Sequence, residues 1–285
     1  MSESAVPSPA ELERRAFRAL ASRRSILVSL LSTILFAVVA WLIVTNTPGW
    51  ERVQQSFFNF EVAGEVWPAV LEGLWLNIRV LFYTVISVTI VATLVALART
   101  VRNPVFFPLR ALARGYVDLF RGIPLIIVLY LVGFGIPGLR IEAFGRIPVE
   151  LLGTIALTLT YSAYVSEVFR AGIESVHSSQ RLAARSLGLS YSQSMRLVVW
   201  PQALRKVVPP LMIDFVSLQK DVGLISVLGA VDAVRAAQIN VANFANFTPY
   251  VLSGLFFVLL AMPTLYFTDR LAEKLRAREQ SGTLL

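Results

Sequence analysis

The chain has 285 residues, of which 56% are hydrophobic and only 15% charged, with a formal net charge of +8. A soluble domain carries about 25% charged residues, and the uncharged runs Ser25–Val44 (20 residues) and Val80–Ala98 (19 residues) match what a membrane-crossing helix requires, so an all-α integral membrane protein is expected. Zero cysteines and one histidine, His177, exclude disulfides, thiolate clusters and paired-histidine metal sites, and no Gly-Lys dipeptide exists to close a phosphate-binding loop.

The first 24 residues read as a cytoplasmic basic helix, with Ser8 as cap, Pro9 in the first turn, Glu11 three residues after the cap, and Arg14, Arg15, Arg18, Arg23 and Arg24 following. Residues 25–45 form a retained transmembrane helix: a signal peptide has an apolar core of about 7–15 residues and a small-residue cleavage site, and neither fits here. Five further spans are expected at roughly Leu71–Ala98, Pro108–Gly135, Val149–Phe169, Gln202–Leu228 and Thr248–Phe267. Prolines 124, 201, 209, 210 and 263 are expected to break or kink these helices. Segments 172–200 and 229–247 are long enough to hold short helices of their own. With the N-terminus inside, nineteen Lys and Arg residues fall in inner segments and four (Arg52, Arg140, Arg146, Arg235) in outer ones. That bias places both termini in the cytoplasm, with residues 272–285 as a basic tail. It also explains the positive charge without nucleic-acid binding, which is not expected.

Charges inside a bilayer are costly and mark candidate functional positions. The sequence offers Arg121 beside Gly122-Ile123-Pro124, Glu167 with Arg170, and Asp214, Lys220 and Asp221. Each has a plainer alternative: Glu167 and Arg170 as an i,i+3 pair at the inner interface, Lys220 and Asp221 as a local ion pair, and Asp214 paired with a neighbouring helix. In the functional alternative Asp214 meets an ammonium group or a basic side chain, and backbone N–H groups at the Gly122-Ile123-Pro124 break meet a carboxylate.

Residues 180–187 suit a short helix in which Leu182, Ala183 and Leu187 share a face; Gly188 then ends it, because glycine takes positive φ cheaply. Ser190 caps a second short helix expected to end at Pro201. This loop, about residues 174–201, resembles the EAA loop of ABC-importer permeases, with Ala183-Ala184, three residues, Gly188, nine residues, then Val198-Val199-Trp200-Pro201. Leu182 replaces the family glutamate, and Trp200 a leucine. Tyr164–Gly172, Ala184–Ser190, Pro201-Gln202-Ala203, Leu218–Asp221 and Phe120–Pro124 narrow the similarity to the polar-amino-acid permeases.

The resemblance implies a type I ABC importer permease core over residues 67–271, with one additional N-terminal span making six helices, in a bacterial inner or plasma membrane. It implies no enzyme activity and no cofactor on this chain, ATP and magnesium being bound by two partner ATPase subunits that dock on Leu182, Ala183, Ala184, Leu187 and Gly188. A second permease subunit, the same or a paralogue, and an extracytoplasmic amino-acid-binding protein would complete the machine. Arg121, Gly122, Pro124, Glu167, Asp214, Lys220 and Asp221 are its expected pathway residues. An ion-coupled secondary transporter of small solutes is the rival; it predicts similar halves, and residues 1–140 and 141–285 show no repeat.

Overall fold

The computed structural model describes the backbone of residues 9–101, 103–142 and 146–282, and the side chains of residue 11 and, within those ranges, 24–274. Ser8 and the side chains of Arg14, Arg15, Arg18, Arg23, Arg276 and Arg278 lie outside the described residues. Every regular element among the described residues is helical. The chain divides into two compact units, Met1–Ser56 and Phe57–Leu285.

The first unit is built on α1 (Pro9–Asn46), a single helix of 38 residues. The expected boundary between a basic helix and a span at residues 24 and 25 is therefore not a break. No glycine or proline occurs between residues 10 and 46 to interrupt the ladder, and Pro48-Gly49, with Gly49 at φ +101°, follows it. Apolar side chains from Ile26 to Val44 are exposed around the helix. The amphipathic α2 (Trp50–Phe57) comes next.

In the second unit, α3 (Phe60–Thr100) is capped by Asn59, whose side chain accepts from the N–H groups of Glu61 and Val62. At 1.5 Å per residue its 41 residues reach roughly 60 Å, so the expected span Leu71–Ala98 is the inner part of a longer rod. The third expected span is not one helix. Pro104–Gly122, which contains α4 (Phe107–Gly122), and Leu125–Gly138, which begins with α5 (Leu125–Tyr130), are bent by 108° at Ile123-Pro124. Proline lacks an N–H and drives the preceding residue to extended backbone, and Ile123 sits at φ −93°, ψ 131°. α6 (Val149–Glu174) follows, then α7 (Ser178–Ser186) and the short α8 (Tyr191–Ser194). The unit ends with α9 (Trp200–Asp221), α10 (Ala233–Phe244) and α11 (Thr248–Gly282).

Pro201 does not end the second loop helix. It lies in the first turn of α9, where a missing N–H is tolerated, and a π-helical turn, Met195–Val199, joins α8 to it without a gap. Pro209, Pro210 and Pro263 likewise sit inside continuous helices. α9 packs on α6 and α11, which holds it helical where local propensity would not. Beyond Asp221 the fifth expected span tightens into a 3₁₀ turn, Val222–Leu228, closed by Gly229 at φ +93°.

Arg24–Asn46, Trp50–Thr100 and Thr248–Lys274 are long and apolar enough to cross a membrane, and two bent pairs of helices join them if each pair counts as one span. α6, at Val149–Glu174, covers the fourth expected span. It is the central helix, with Thr154, Thr158, Thr160, Ser162 and Ser166 all buried. The main core joins Val80, Leu81 and Val88 of α3 to Leu152, Ala156 and Leu157 of α6 and to Val222 and Ile225. Small residues permit the close approaches: a Cβ at Gly73 would fall on the Asp232 backbone, and one at Gly153 would lie 2.7 Å from the Ile225 side chain. Fully buried Asn77 donates to the Val222 carbonyl (3.1 Å) and to Asp232 Oδ2 (2.9 Å) and accepts from Ala233 N (3.1 Å). That one side chain fastens α3 to the start of α10.

Candidate functional site: two cavities along one helix face and a docking loop

Arg114, Asp118 and Arg121 recur at intervals of three or four along α4 and therefore share one face. Two cavities open on that face. The upper one, about 430 Å³, lies at the 108° break and is lined by Arg121, Gly122, Pro124, Thr160, Tyr161, Tyr164, Asp214, Ser217 and Asp221 among others. α4 contributes the arginine, the break opens the wall, α6 presents both tyrosines, and α9 places Asp214 and Asp221 two turns apart on one side.

Within this cavity the Tyr161 hydroxyl donates to Asp221 Oδ2 at 2.7 Å. The Arg121 guanidinium lies 5.9 Å from the centre of the Tyr164 ring, within range of a cation–π contact. Asp214 Oδ2 and Thr160 Oγ1 are buried without a hydrogen-bond partner among the described residues. The expectation that Asp214 pairs with a neighbouring helix is thus not met. At the break, Ile123 N–H is engaged by the Leu119 carbonyl at 3.1 Å and Pro124 has no N–H, and the Arg121 guanidinium stands in the same cavity wall.

Of the remaining predicted pathway residues, Lys220 is exposed and lines neither cavity, and it forms no pair with Asp221 within 4 Å. Glu167 belongs to an ion-pair network instead. It accepts from Arg99 at 2.7 Å and from Arg170, which also pairs with Glu174. The i,i+3 pair read from sequence is present, but its strongest long-range partner, Arg99, stood only among the inner charges.

The lower cavity, about 980 Å³, is lined by five arginines, Arg99, Arg110, Arg114, Arg170 and Arg181, against Asp118 and Glu174. Most of these arginines hold the backbone or a carboxylate. Arg110 donates to the carbonyls of Val101 (2.7 Å) and Asn103 (2.8 Å), and Arg181 to those of Ile173 (2.9 Å) and Val176 (3.1 Å).

The loop beside it forms as its residues dictate. Gly188 has φ +80°, its N–H donates to the Arg185 carbonyl, and Leu189 N–H donates to the Ala184 carbonyl, the paired bonds of a Schellman ending. Ser190 and Gln193 complete a capping box at α8. Ala184 is buried against the loop, while Leu182 (64% exposed) and Leu187 (82% exposed) project outward with Ala183. Leu182 therefore replaces a glutamate on the outer surface and removes nothing from the loop's internal packing.

Sequence reasoning missed Tyr161 and Thr160. Their signal was a run of hydroxyl residues, Thr158 to Ser162, inside an otherwise apolar helix. Asn77 gave a similar signal, as a lone amide within a span.

Residues 89–277 match the family model described as the binding-protein-dependent transport system inner membrane component. The chain is 36% identical over 187 residues to a probable glutamine ABC transporter permease of Bacillus subtilis, covering 61% of this chain and 84% of that protein. It is 29% identical over 216 residues to the arginine transport system permease of the same organism (74% and 94% covered). With a glutamate/aspartate import permease of Escherichia coli it shares 33% over 199 residues (65% and 88%). Among solved structures, an amino acid ABC transporter matches with a TM-score of 0.69 at 28% identity, over 76% of this chain and 98% of that one. An inward-facing methionine ABC transporter shares the fold, with a TM-score of 0.57 at 20% identity, over 73% and 96%.

Proposed function

The chain belongs to the binding-protein-dependent transport system inner membrane component family, and on that premise we propose that it carries a polar or charged amino acid through the cavity at the α4–α5 break. It is the permease subunit of an ATP-driven importer, a transport component and not an enzyme. The observation that carries the cargo reading is the lining of that cavity, which brings together a guanidinium, Arg121, and two carboxylates, Asp214 and Asp221. An α-amino acid needs both signs of partner once its carboxylate and ammonium leave water. Relatives named for glutamine, arginine and glutamate/aspartate support the same class.

The surrounding machine follows the family pattern. A pair of ATPase subunits binds ATP and magnesium and docks on the loop around Gly188, where Leu182, Ala183 and Leu187 are exposed and Ala184 supports them from below. A second permease subunit and an extracytoplasmic binding protein complete it. In a bacterial plasma membrane the chain crosses six times, the helix at residues 25–45 being additional to a core over 67–271, with 1–24 and 272–285 in the cytoplasm. The charge bias supports this orientation. Cysteines placed at Ser4 and Ser281 are then protected from an impermeant outside reagent, and one at Ser56 is labelled.

The function is tested by reconstituting the permease with its ATPase and binding protein in proteoliposomes and following labelled amino acids. ATP-dependent accumulation is expected. Uptake driven by a proton or sodium gradient without ATP overturns the assignment in favour of a secondary transporter.

A further inference from the structure

We infer that the cavity at the α4–α5 break selects a cationic amino acid, one whose side chain ends in a guanidinium or ammonium group. The inference rests on the reading of that cavity as the cargo site and adds the charge class of the cargo. The charged lining is Arg121 against Asp214 and Asp221, one positive group facing two negative ones. Lys220, the nearest basic residue in sequence, is exposed and lies outside it. The Tyr161 hydroxyl on Asp221 is a neutral donor and leaves the charge of that carboxylate uncompensated.

Charges withdrawn from water into a membrane protein are tolerated when they are paired. A zwitterion sets its carboxylate on Arg121 and its ammonium on one aspartate, and leaves the other aspartate unpaired. An anionic amino acid adds a further negative charge to that imbalance. A cationic amino acid brings one anion and two cations, which is the complement of the lining.

Two further observations point the same way. Asp214 Oδ2 is a buried acceptor with no partner among the described residues, and the Thr160 hydroxyl, which can accept as well as donate, is another unpartnered group; a buried carboxylate oxygen calls for a donor. A guanidinium or ammonium group is rich in donors and has no acceptor to offer. The walls also suit a cation: the rings of Tyr161 and Tyr164 stand 6.2 Å apart, and Tyr164 already holds the Arg121 guanidinium at 5.9 Å. A volume of about 430 Å³ admits a long side chain.

The test is equilibrium binding of arginine, lysine, glutamine and glutamate to the permease–ATPase complex in nanodiscs, with the binding protein left out so that its own selectivity does not enter. Arginine and lysine are expected to bind at least about tenfold more tightly than glutamine, with glutamate weakest. Asp214→Asn should remove most of that preference and Asp214→Glu should restore it. Arg121→Gln should weaken all four without changing their order. Glutamine or glutamate binding as tightly as arginine overturns the charge assignment and leaves the amino-acid reading standing. Binding of none of the four overturns the amino-acid reading itself. The ranking in the unaltered complex decides between these outcomes even if no variant assembles.

Discussion

The two cavities on the α4 face differ in how far their charges are engaged. In the lower one, Arg99 and Arg170 share Glu167, and Arg110 and Arg181 close the carbonyl ends of neighbouring segments. Arg181 Nε is buried there without a partner, but the same side chain donates through Nη2 to two carbonyls; in the upper cavity, which contains fewer charges, Asp214 Oδ2 and the Thr160 hydroxyl are buried without partners among the described residues. Counting charges alone would have made the arginine-rich chamber the binding site. Satisfaction is the better guide: a charge already held by partners serves the fold, and a buried carboxylate oxygen without one, in a cavity wall, marks a place for a ligand donor.

The contrast can be broken most forcefully at Glu167. Replacing it with glutamine leaves Arg99 and Arg170 facing each other across a mostly buried network, at a cost of about 3 kcal/mol. The thermal unfolding midpoint of the purified complex should fall by several degrees, while the order of amino-acid affinities stays unchanged. A changed order would mean that the lower chamber also reads the cargo.

Tyr161→Phe probes the upper cavity. It removes the hydroxyl from Asp221 Oδ2, a hydrogen bond to a charged group worth about 2 kcal/mol. Stability should drop without ligand and recover in part when arginine is added, so the ligand-induced rise in midpoint should exceed that of the unaltered protein. An equal rise would show that Asp221 does not face the cargo.

Gly188→Val acts through the loop that borders the lower cavity. A β-branched residue at φ +80° costs about 1–2 kcal/mol and disrupts the Schellman ending. Substrate-stimulated ATP hydrolysis should fall about tenfold with binding by the upper cavity intact. Normal stimulation at normal abundance would remove the loop from coupling. The smallest effect is expected at Leu182→Glu, an exposed change within about 0.5 kcal/mol, with transport retained.

Local signals in the sequence carried far. Uncharged runs marked the helices, Gly188 and Ser190 marked the turn and its cap, and Pro124 marked the break. At Pro209, Pro210 and Pro263 the helices are not broken, because packing on neighbouring helices overrides a local penalty. Sequence reasoning divided α1 at residue 24, where charge composition changes but nothing interrupts the backbone ladder.

The amino-acid sequence by itself determined the membrane class, the helical elements and the loop that names the family, because each depends on residues within a few turns of one another. Only the tertiary structure decided which charges are satisfied. Arg99 meets Glu167 across 68 residues, Tyr161 meets Asp221 across 60 and Asn77 meets Asp232 across 155. A helix presents each side chain at an angle fixed by its own period, but which neighbour stands at that angle is set by how the bundle packs. Asp214 and Glu167 look alike as intramembrane carboxylates in the sequence, and packing gives one a pair of arginines and leaves the other open to the cavity.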